Sequence, residues 1–284
     1  MSRSMNRVLI TGAAGGIGSC IARQLAGGTG LLLTDVRPGP LEVLARDLQV
    51  VGADVATIAA DVTSSAGRDA LVQSARATGV DALINVAGVN PFGLVTEQTP
   101  EEIERTILIN TTAPMLLCRA LIPVLVARER AHVINVGSVF GSLGYPGFAA
   151  YSASKFALRG FTEALRRELA DTSIAVHYLA PRATRTPLVT DRVRALNEEL
   201  GVAMDAPESV AIAVERILRS GQRELILGFP EKLFVRINAL LPGLVDRAIR
   251  KQLPVIRRHA ARMPTPEPDR AGASFTSANI GVKS

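Results

Sequence analysis

One pattern constrains this chain more than any other. Short apolar runs alternate with stretches of helical spacing from the first residues to about residue 228. The runs that read as strands are 7–11, 30–35, 54–60, 82–86, 132–136, 174–179 and 224–227, and the helical patterns between them are 17–26, 41–50, 64–78, 101–128, 150–169 and 207–219. Strands buried on both faces lose the in–out alternation of a half-exposed sheet and become continuous apolar runs. Helices that return the chain between parallel strands supply the rhythm. The expected fold class is α/β: a doubly wound parallel sheet of about seven strands in a single domain. With 284 residues, 48% of them hydrophobic, the chain can fill one large core but not two.

Two stretches break the rhythm. Residues 181–205 carry prolines, arginines and a weakly apolar helical stretch, as an active-site lid would. Beyond 228 the pattern turns helical and basic, so the division expected is a catalytic domain over 1–228, an amphipathic helical extension over 229–262 and a disordered tail over 263–284. Cys20 and Cys118 have no metal or redox spacing and are expected on buried helix faces in a reducing compartment. The start, Met1 to Gly12, lacks the long apolar core of a secretory signal. The apolar stretch 113–127 is interrupted by Arg119 and Pro123, and it is shorter than the roughly 20 residues that span a bilayer. A cytoplasmic protein, not integral to a membrane, is expected. The formal charge of +6 raises the question of nucleic acid. Tryptophan is absent, aromatic residues make up 4%, and no reading module is recognisable, so a nucleic-acid partner is not expected.

The first strand runs into Thr11-Gly12-Ala13-Ala14-Gly15-Gly16-Ile17-Gly18 and then a helix. Glycines let the backbone turn tightly and approach a pyrophosphate, and the helix N-terminus offers unpaired N–H groups and a positive dipole end to that anion. An acidic residue, Asp35, ends the second strand. There its carboxylate can accept hydrogen bonds from ribose hydroxyls and repel a 2′-phosphate. Together these features point to a Rossmann-type dinucleotide site. Val36 follows Asp35, and Ala13 to Gly15 carry no positive charge, which favours NAD over NADP. Arg37 is the contrary signal, since it could swing toward a phosphate. It is read here as a solvated loop charge.

These residues resemble the Thr-Gly-x-x-x-Gly-x-Gly signature of the classical short-chain dehydrogenase/reductase family. The resemblance continues in order through Asp61-Val62, Asn85-Val86-Ala87-Gly88, Asn110, Ser138, Tyr151 with Lys155, and Pro181 to Thr186, and covers about the first 228 residues. It implies that Gly12, Gly16, Ile17 and Gly18 hold the dinucleotide, that Asp61 and Val62 flank the adenine, and that Asn85, Ala87 and Gly88 line the cofactor. It also implies that Thr186, beyond Pro181, reaches the nicotinamide carboxamide. The sequence departs from the pattern at Val86, often a second asparagine, and at Arg182, usually a glycine. The arginine is expected to alter the local backbone and to bring a charge to the substrate pocket.

Tyr151 and Lys155 lie four residues apart in a helical pattern and so share a face. A tyrosine with an ordinary pKa near 10 is a poor acid or base at neutral pH. A neighbouring ammonium stabilises the phenolate, so the pair is expected to work as a general acid/base at a carbonyl oxygen. Ser138 follows an apolar strand, at the carboxyl end where such sheets bind ligands, and can donate to that oxygen. Asn110 is a polar amide inside a long apolar helix and needs partners if buried. By the resemblance it holds a water that links Lys155 to solvent. Lys155 and Tyr151 are also counted among the cofactor contacts. His132, His177 and His259 have no ligand-like grouping, and no metal is expected.

The activity expected is hydride transfer between a nicotinamide cofactor and a secondary alcohol or ketone, by a homo-oligomeric enzyme. The alternative is a dinucleotide-sensing protein without chemistry, against which the complete Ser138, Tyr151 and Lys155 set argues. Leu188, Val189, Val193, Leu196, Leu200 and Val202 give the lid an apolar wall, so a hydrophobic, lipid-like substrate is favoured. In the extension, Leu233, Phe234, Ile237, Leu240, Leu241, Leu244, Val245, Ala248 and Ile249 keep to one helical face, with Pro242 expected to divide it. Lys232, Arg236, Arg247, Arg250, Lys251, Arg257, Arg258 and Arg262 carry the charge. The apolar face is expected to pack on the domain, on a subunit partner or over the cleft, or to rest on anionic membrane.

Overall fold

The computed structural model describes residues 7–261. The expected tail and Arg262 lie outside the described residues. In chain order the elements are β1 (Arg7–Thr11), α1 (Gly16–Leu25), β2 (Gly30–Asp35), α2 (Pro38–Val50), β3 (Val55–Ala59), α3 (Ser65–Thr78) and β4 (Ala82–Asn85). Next come α4 (Pro100–Ile107), a π-helical turn (Leu108–Thr112), α5 (Ala113–Leu125), β5 (Ala131–Val136), a 3-10 turn (Val139–Gly141), α6 (Ala149–Glu168) and β6 (Ile174–Ala180). The chain continues through α7 (Asp191–Glu199), α8 (Pro207–Ser220), β7 (Glu224–Ile226), α9 (Glu231–Leu240) and α10 (Pro242–Ala260).

The strands form one parallel sheet in the order β3-β2-β1-β4-β5-β6-β7. The chain winds outward one way from β1, then returns to β4 and winds the other way. This leaves a crevice at the carboxyl ends of β1 and β4, where ligands of such sheets bind. Each face of the sheet has its own core. Ile21, Leu41, Val210, Val214 and Ile217 of α1, α2 and α8 pack on one side. Leu71, Leu117, Leu121 and Leu165 of α3, α5 and α6 pack on the other. A third cluster joins Phe148, Val193 and Leu196 to Ile256 of α10 and sits over the carboxyl edge.

The helix expected over 101–128 is present as α4, the π turn and α5 in unbroken succession. Thr99 and Glu102 form a reciprocal capping box with Pro100 in the first turn, and the helix then loosens into the π turn. There Asn110 is drawn to the backbone of Val89, accepting from its N–H at 2.8 Å and donating to its carbonyl at 2.9 Å. Pro100–Leu125 is long and apolar enough by composition to cross a bilayer, yet in this fold Leu117, Cys118, Leu121 and Leu125 are buried against the sheet. Cys118 is buried as expected, but Cys20 is only half-buried beside Glu208. The lid is a loop followed by α7, whose start is capped by the Thr190 hydroxyl.

Candidate active site

The loop between β1 and α1 keeps its backbone bare. Gly12 has φ of 63°, and a Cβ there would stand 2.8 Å from the Ala87 Cα, so both conformation and space exclude a side chain. The Thr11 hydroxyl accepts from the N–H groups of Val86 and Ala87 at 3.1 and 3.2 Å, which ties this loop to the end of β4. No side chain caps the start of α1. Its free N–H groups and the dipole therefore face the crevice, as an anion would require.

A cavity of about 630 Å³ fills that crevice. Gly12, Gly16, Ile17, Gly18, Asp35, Asp61, Val62, Ala87, Gly88 and Thr186 all line it. Asn85 does not. Its amide points into the layer between sheet and helices, donating to Asn135 at 2.8 Å and contacting Cys118, so it braces β4 against β5. Asp35 is 6% exposed. It accepts from Ala14 N–H at 3.1 Å and from the backbone and guanidinium of Arg37, both at 3.0 Å. Arg37 is thus solvent-exposed as expected but paired with Asp35 on the crevice wall, and that bond raises its pKa. Asp61 accepts from both the N–H and the hydroxyl of Thr63, which holds its carboxyl below the usual range. The cradle fits a dinucleotide: a glycine loop at a helix N-terminus meets a pyrophosphate, and a carboxylate at the end of β2 meets a ribose.

A second cavity of about 480 Å³ adjoins the first and shares Ile17, Thr186 and Leu188 with it. Ser138, Tyr151 and Pro181 lie on its wall. The Ser138 hydroxyl accepts from Phe140 N–H at 3.1 Å. Tyr151 and Lys155 come from successive turns of α6, with the ammonium 5.8 Å from the tyrosine ring centre. Lys155 donates to the Val136 carbonyl at 3.1 Å. Burial pushes Tyr151 up to about 12, with the Ser138 hydroxyl pulling the other way. Burial also pushes Lys155 down to about 8. The tyrosine is thus raised where the pairing with Lys155 led one to expect a lowering, because desolvation of the phenol outweighs the opposing influences. Pro181 and Thr186 flank the junction of the two cavities. Asn110 sits behind Gly88, where an added Cβ would meet Asn110 Oδ1 at 3.1 Å and Lys155 Nζ at 3.8 Å.

Sequence reasoning missed several positioning groups. The Asn110 amide donates to the Ser154 hydroxyl at 3.0 Å, and Thr111 donates to the Ser154 carbonyl at 2.9 Å. Ser154 thereby fixes α6, with its Tyr151, against the π turn. Tyr178 is buried under the Ser138 loop. Its hydroxyl donates to the Ser138 carbonyl at 3.2 Å and accepts from the Ser138 N–H at 3.3 Å. Gly137 makes this possible, since a Cβ there would lie 2.1 Å from the Tyr178 hydroxyl. Nothing in the spacing marked Tyr178, which reads as one more apolar strand residue. Phe140, Tyr145 and Phe148 form an aromatic wall beside Tyr151, and Tyr145 donates to Gln252 of α10 at 2.6 Å.

Arg182 brings no free charge to the pocket. It bonds Asp205 at 2.6 Å and Glu231 at 3.3 Å, joining the end of the lid to the start of α9. Those two carboxylates raise its pKa. Pro242 does divide the extension into α9 and α10, and Phe234, Ile237, Leu244, Val245, Ala248 and Ile249 roof the second cavity. Among the described residues no three metal-ligating side chains converge.

The chain is similar to known proteins. A bovine protein, dehydrogenase/reductase SDR family member 7B, is 31% identical over 256 residues, covering 84% of this chain and 79% of its own. A short-chain dehydrogenase/reductase from Burkholderia phymatum, solved in complex with NAD, superposes with a TM-score of 0.78 at 25% identity, over 86% of this chain and 96% of that one. A metagenomic short-chain oxidoreductase solved with NADP gives 0.68 at 30% identity, over 80% and 98%. Residues 6–197 match the profile of the short chain dehydrogenase family. The glycine loop, the parallel sheet and this match agree, and the chain belongs to the short-chain dehydrogenase family of nicotinamide-dependent oxidoreductases.

Proposed function

We propose that this protein oxidises a secondary alcohol, or reduces the corresponding ketone, of apolar and lipid-like character, and prefers NAD(H) to NADP(H). The observation that carries the proposal is the position of Ser138 and Tyr151. Both stand on the wall of an apolar cavity that shares Ile17, Thr186 and Leu188 with the neighbouring crevice. A bound nicotinamide cofactor supplies the hydride acceptor or donor at that junction. Ser138 donates to the substrate oxygen and holds it near Tyr151. Tyr151, protonated at neutral pH, gives its proton to that oxygen in reduction and takes it back in oxidation. With a cofactor bound, Lys155 would hold a ribose hydroxyl and stabilise the phenolate. Asn110 and Ser154 keep the far end of this chain of donors in place. Asp35 already holds Ala14 N–H and lies where ribose hydroxyls are read, so a 2′-phosphate would meet a carboxylate. The working form is proposed to be a cytoplasmic homo-oligomer, for which Met115 and Phe156 offer exposed apolar contacts.

Tyr151→Phe tests the chemistry against a bare sensing role. With a panel of hydrophobic ketones, turnover should fall by roughly 10²–10⁴-fold, while reduced-cofactor fluorescence shows binding largely intact. Retention of more than about a tenth of the rate would end the assignment. In the same assay kcat/KM with NAD(H) should exceed that with NADP(H), and Asp35→Ser should narrow the gap.

A further inference from the structure

The corner where α9 meets α10 exposes what a folded chain normally covers. Phe229, Leu233, Leu240, Leu241 and Leu244 are each between 48% and 80% exposed. Over the same stretch α9 buries only Val235, and the first half of α10 only Val245. Lys232, Arg236, Arg247, Arg250 and Lys251 are all exposed, and none has a hydrogen bond or ion pair among the described residues. Of the two acids nearby, Glu231 is already engaged by Arg182, which leaves Asp246 against five cations. Apolar patches of this kind mark interaction sites. The charge decides which kind. A second copy of the chain, docked about a twofold axis, would bring two unpaired basic sets together. A neutral apolar partner would leave all five cations unanswered. An anionic bilayer satisfies both features, since leucines enter the headgroup–acyl boundary while cations meet lipid phosphates.

The corner is also continuous with the active site. Phe234 and Leu244 are about half exposed, and both line the cavity that holds Ser138 and Tyr151. We propose that the α9–α10 corner docks on an anionic membrane surface, and that the cavity receives its apolar alcohol or ketone from the lipid phase. The docking stands on the corner alone, and the lipid-phase supply rests on the apolar-substrate reading above.

Co-sedimentation of the full chain with phosphatidylcholine vesicles, with and without phosphatidylglycerol, at low and high salt, tests the docking. Binding should require phosphatidylglycerol and weaken with salt. Arg247→Gln with Arg250→Gln should weaken it about thirtyfold, the change that two surface charges at about 1 kcal/mol each convert to. Leu240→Ser with Leu241→Ser should weaken it by at least about tenfold. All four side chains are exposed and outside the cavity lining, and circular dichroism should show an unchanged fold. Failure of the folded chain to bind anionic vesicles at low salt overturns the proposal. So does a result in which these variants change the oligomer mass by light scattering and leave vesicle binding alone, since a second copy would then cover the corner. Turnover of a vesicle-dissolved ketone should rise with phosphatidylglycerol, whereas that of a water-soluble ketone should not. If vesicles bind but no ketone turns over, the catalytic reading fails and the docking stands.

Discussion

At the residue scale the site stores a cost in Lys155. Its ammonium is buried, and its pKa falls from 10.5 to about 8. The sign follows from proton counting. Between about pH 8 and about pH 10 the unfolded chain holds a proton on this lysine and the folded chain does not, so stability rises with pH across that window. Below about pH 8 both states are charged, and the folded state bears the full penalty of burial. Lys155→Met should therefore raise the thermal midpoint at pH 7, remove this part of the pH dependence and abolish turnover. A midpoint at or below that of the wild type would show that the bond to Val136 compensates for burial. Tyr178 is the second residue to test. Its hydroxyl grips both backbone groups of Ser138, so Tyr178→Phe leaves that N–H and carbonyl with one fewer partner. We expect kcat to fall about tenfold with cofactor affinity unchanged, the scale of a lost buried hydrogen bond expressed at a positioned catalytic group. A Tyr178→Phe enzyme with normal kcat and only a lower melting point would make the residue structural.

At the scale of elements the lid is held from both sides. Arg182 ties the lid's end and the start of α9 to the loop after β6. On the far side Arg192 of α7 donates to the carbonyls of His259 and Ala260 at the end of α10, and Glu199 meets Arg258 and His259. These ties join the lid to the extension at both ends, so the two are expected to open together. Arg182→Ala would leave Asp205 and Glu231 facing each other without a cation. Hydrogen exchange should quicken over 183–205 and over α9 while the sheet is unaffected, and KM for the ketone should rise more than kcat falls. Exchange confined to 183–205 would mean that the two elements are independent. The arginine that replaces the family's usual glycine thus builds the lid's attachment. Its charge was legible in the sequence and its partners were not, because Asp205 and Glu231 lie 23 and 49 residues away.

At the scale of the molecule the cofactor crevice joins the two halves of the sheet. Its lining comes from the loops after β1, β2, β3 and β4, from Arg105 of α4 and the π turn, and from the lid at Thr186. A dinucleotide bound there touches elements from both sides of the switch point and should stabilise the domain as one unit. At a hundredfold excess over Kd the gain is about 2.7 kcal/mol, or roughly 5–10 °C in the melting midpoint of a domain this size. NAD(H) should produce it, and Tyr151→Phe should retain it. A shift seen only in part of a multi-step melt would show that the extension unfolds separately. The whole-molecule view also gives the extension its place: the apolar face that the sequence left between several partners roofs the active-site cavity with part of its residues and leaves the rest bare.

The sequence by itself determined the sheet, the glycine loop and the pairing of Tyr151 with Lys155. Each of these is local: a strand or helix is written in the period of its own apolar residues, a glycine loop in adjacent positions, and a shared helix face in a spacing of four. Only the tertiary structure decided the rest. It paired Asn85 with Asn135 outside the crevice lining, set Tyr178 beneath Ser138, widened the helix at Asn110 and paired Arg182 with two distant carboxylates. A polar side chain finds its partner by proximity in space, and no periodicity along the chain records that distance.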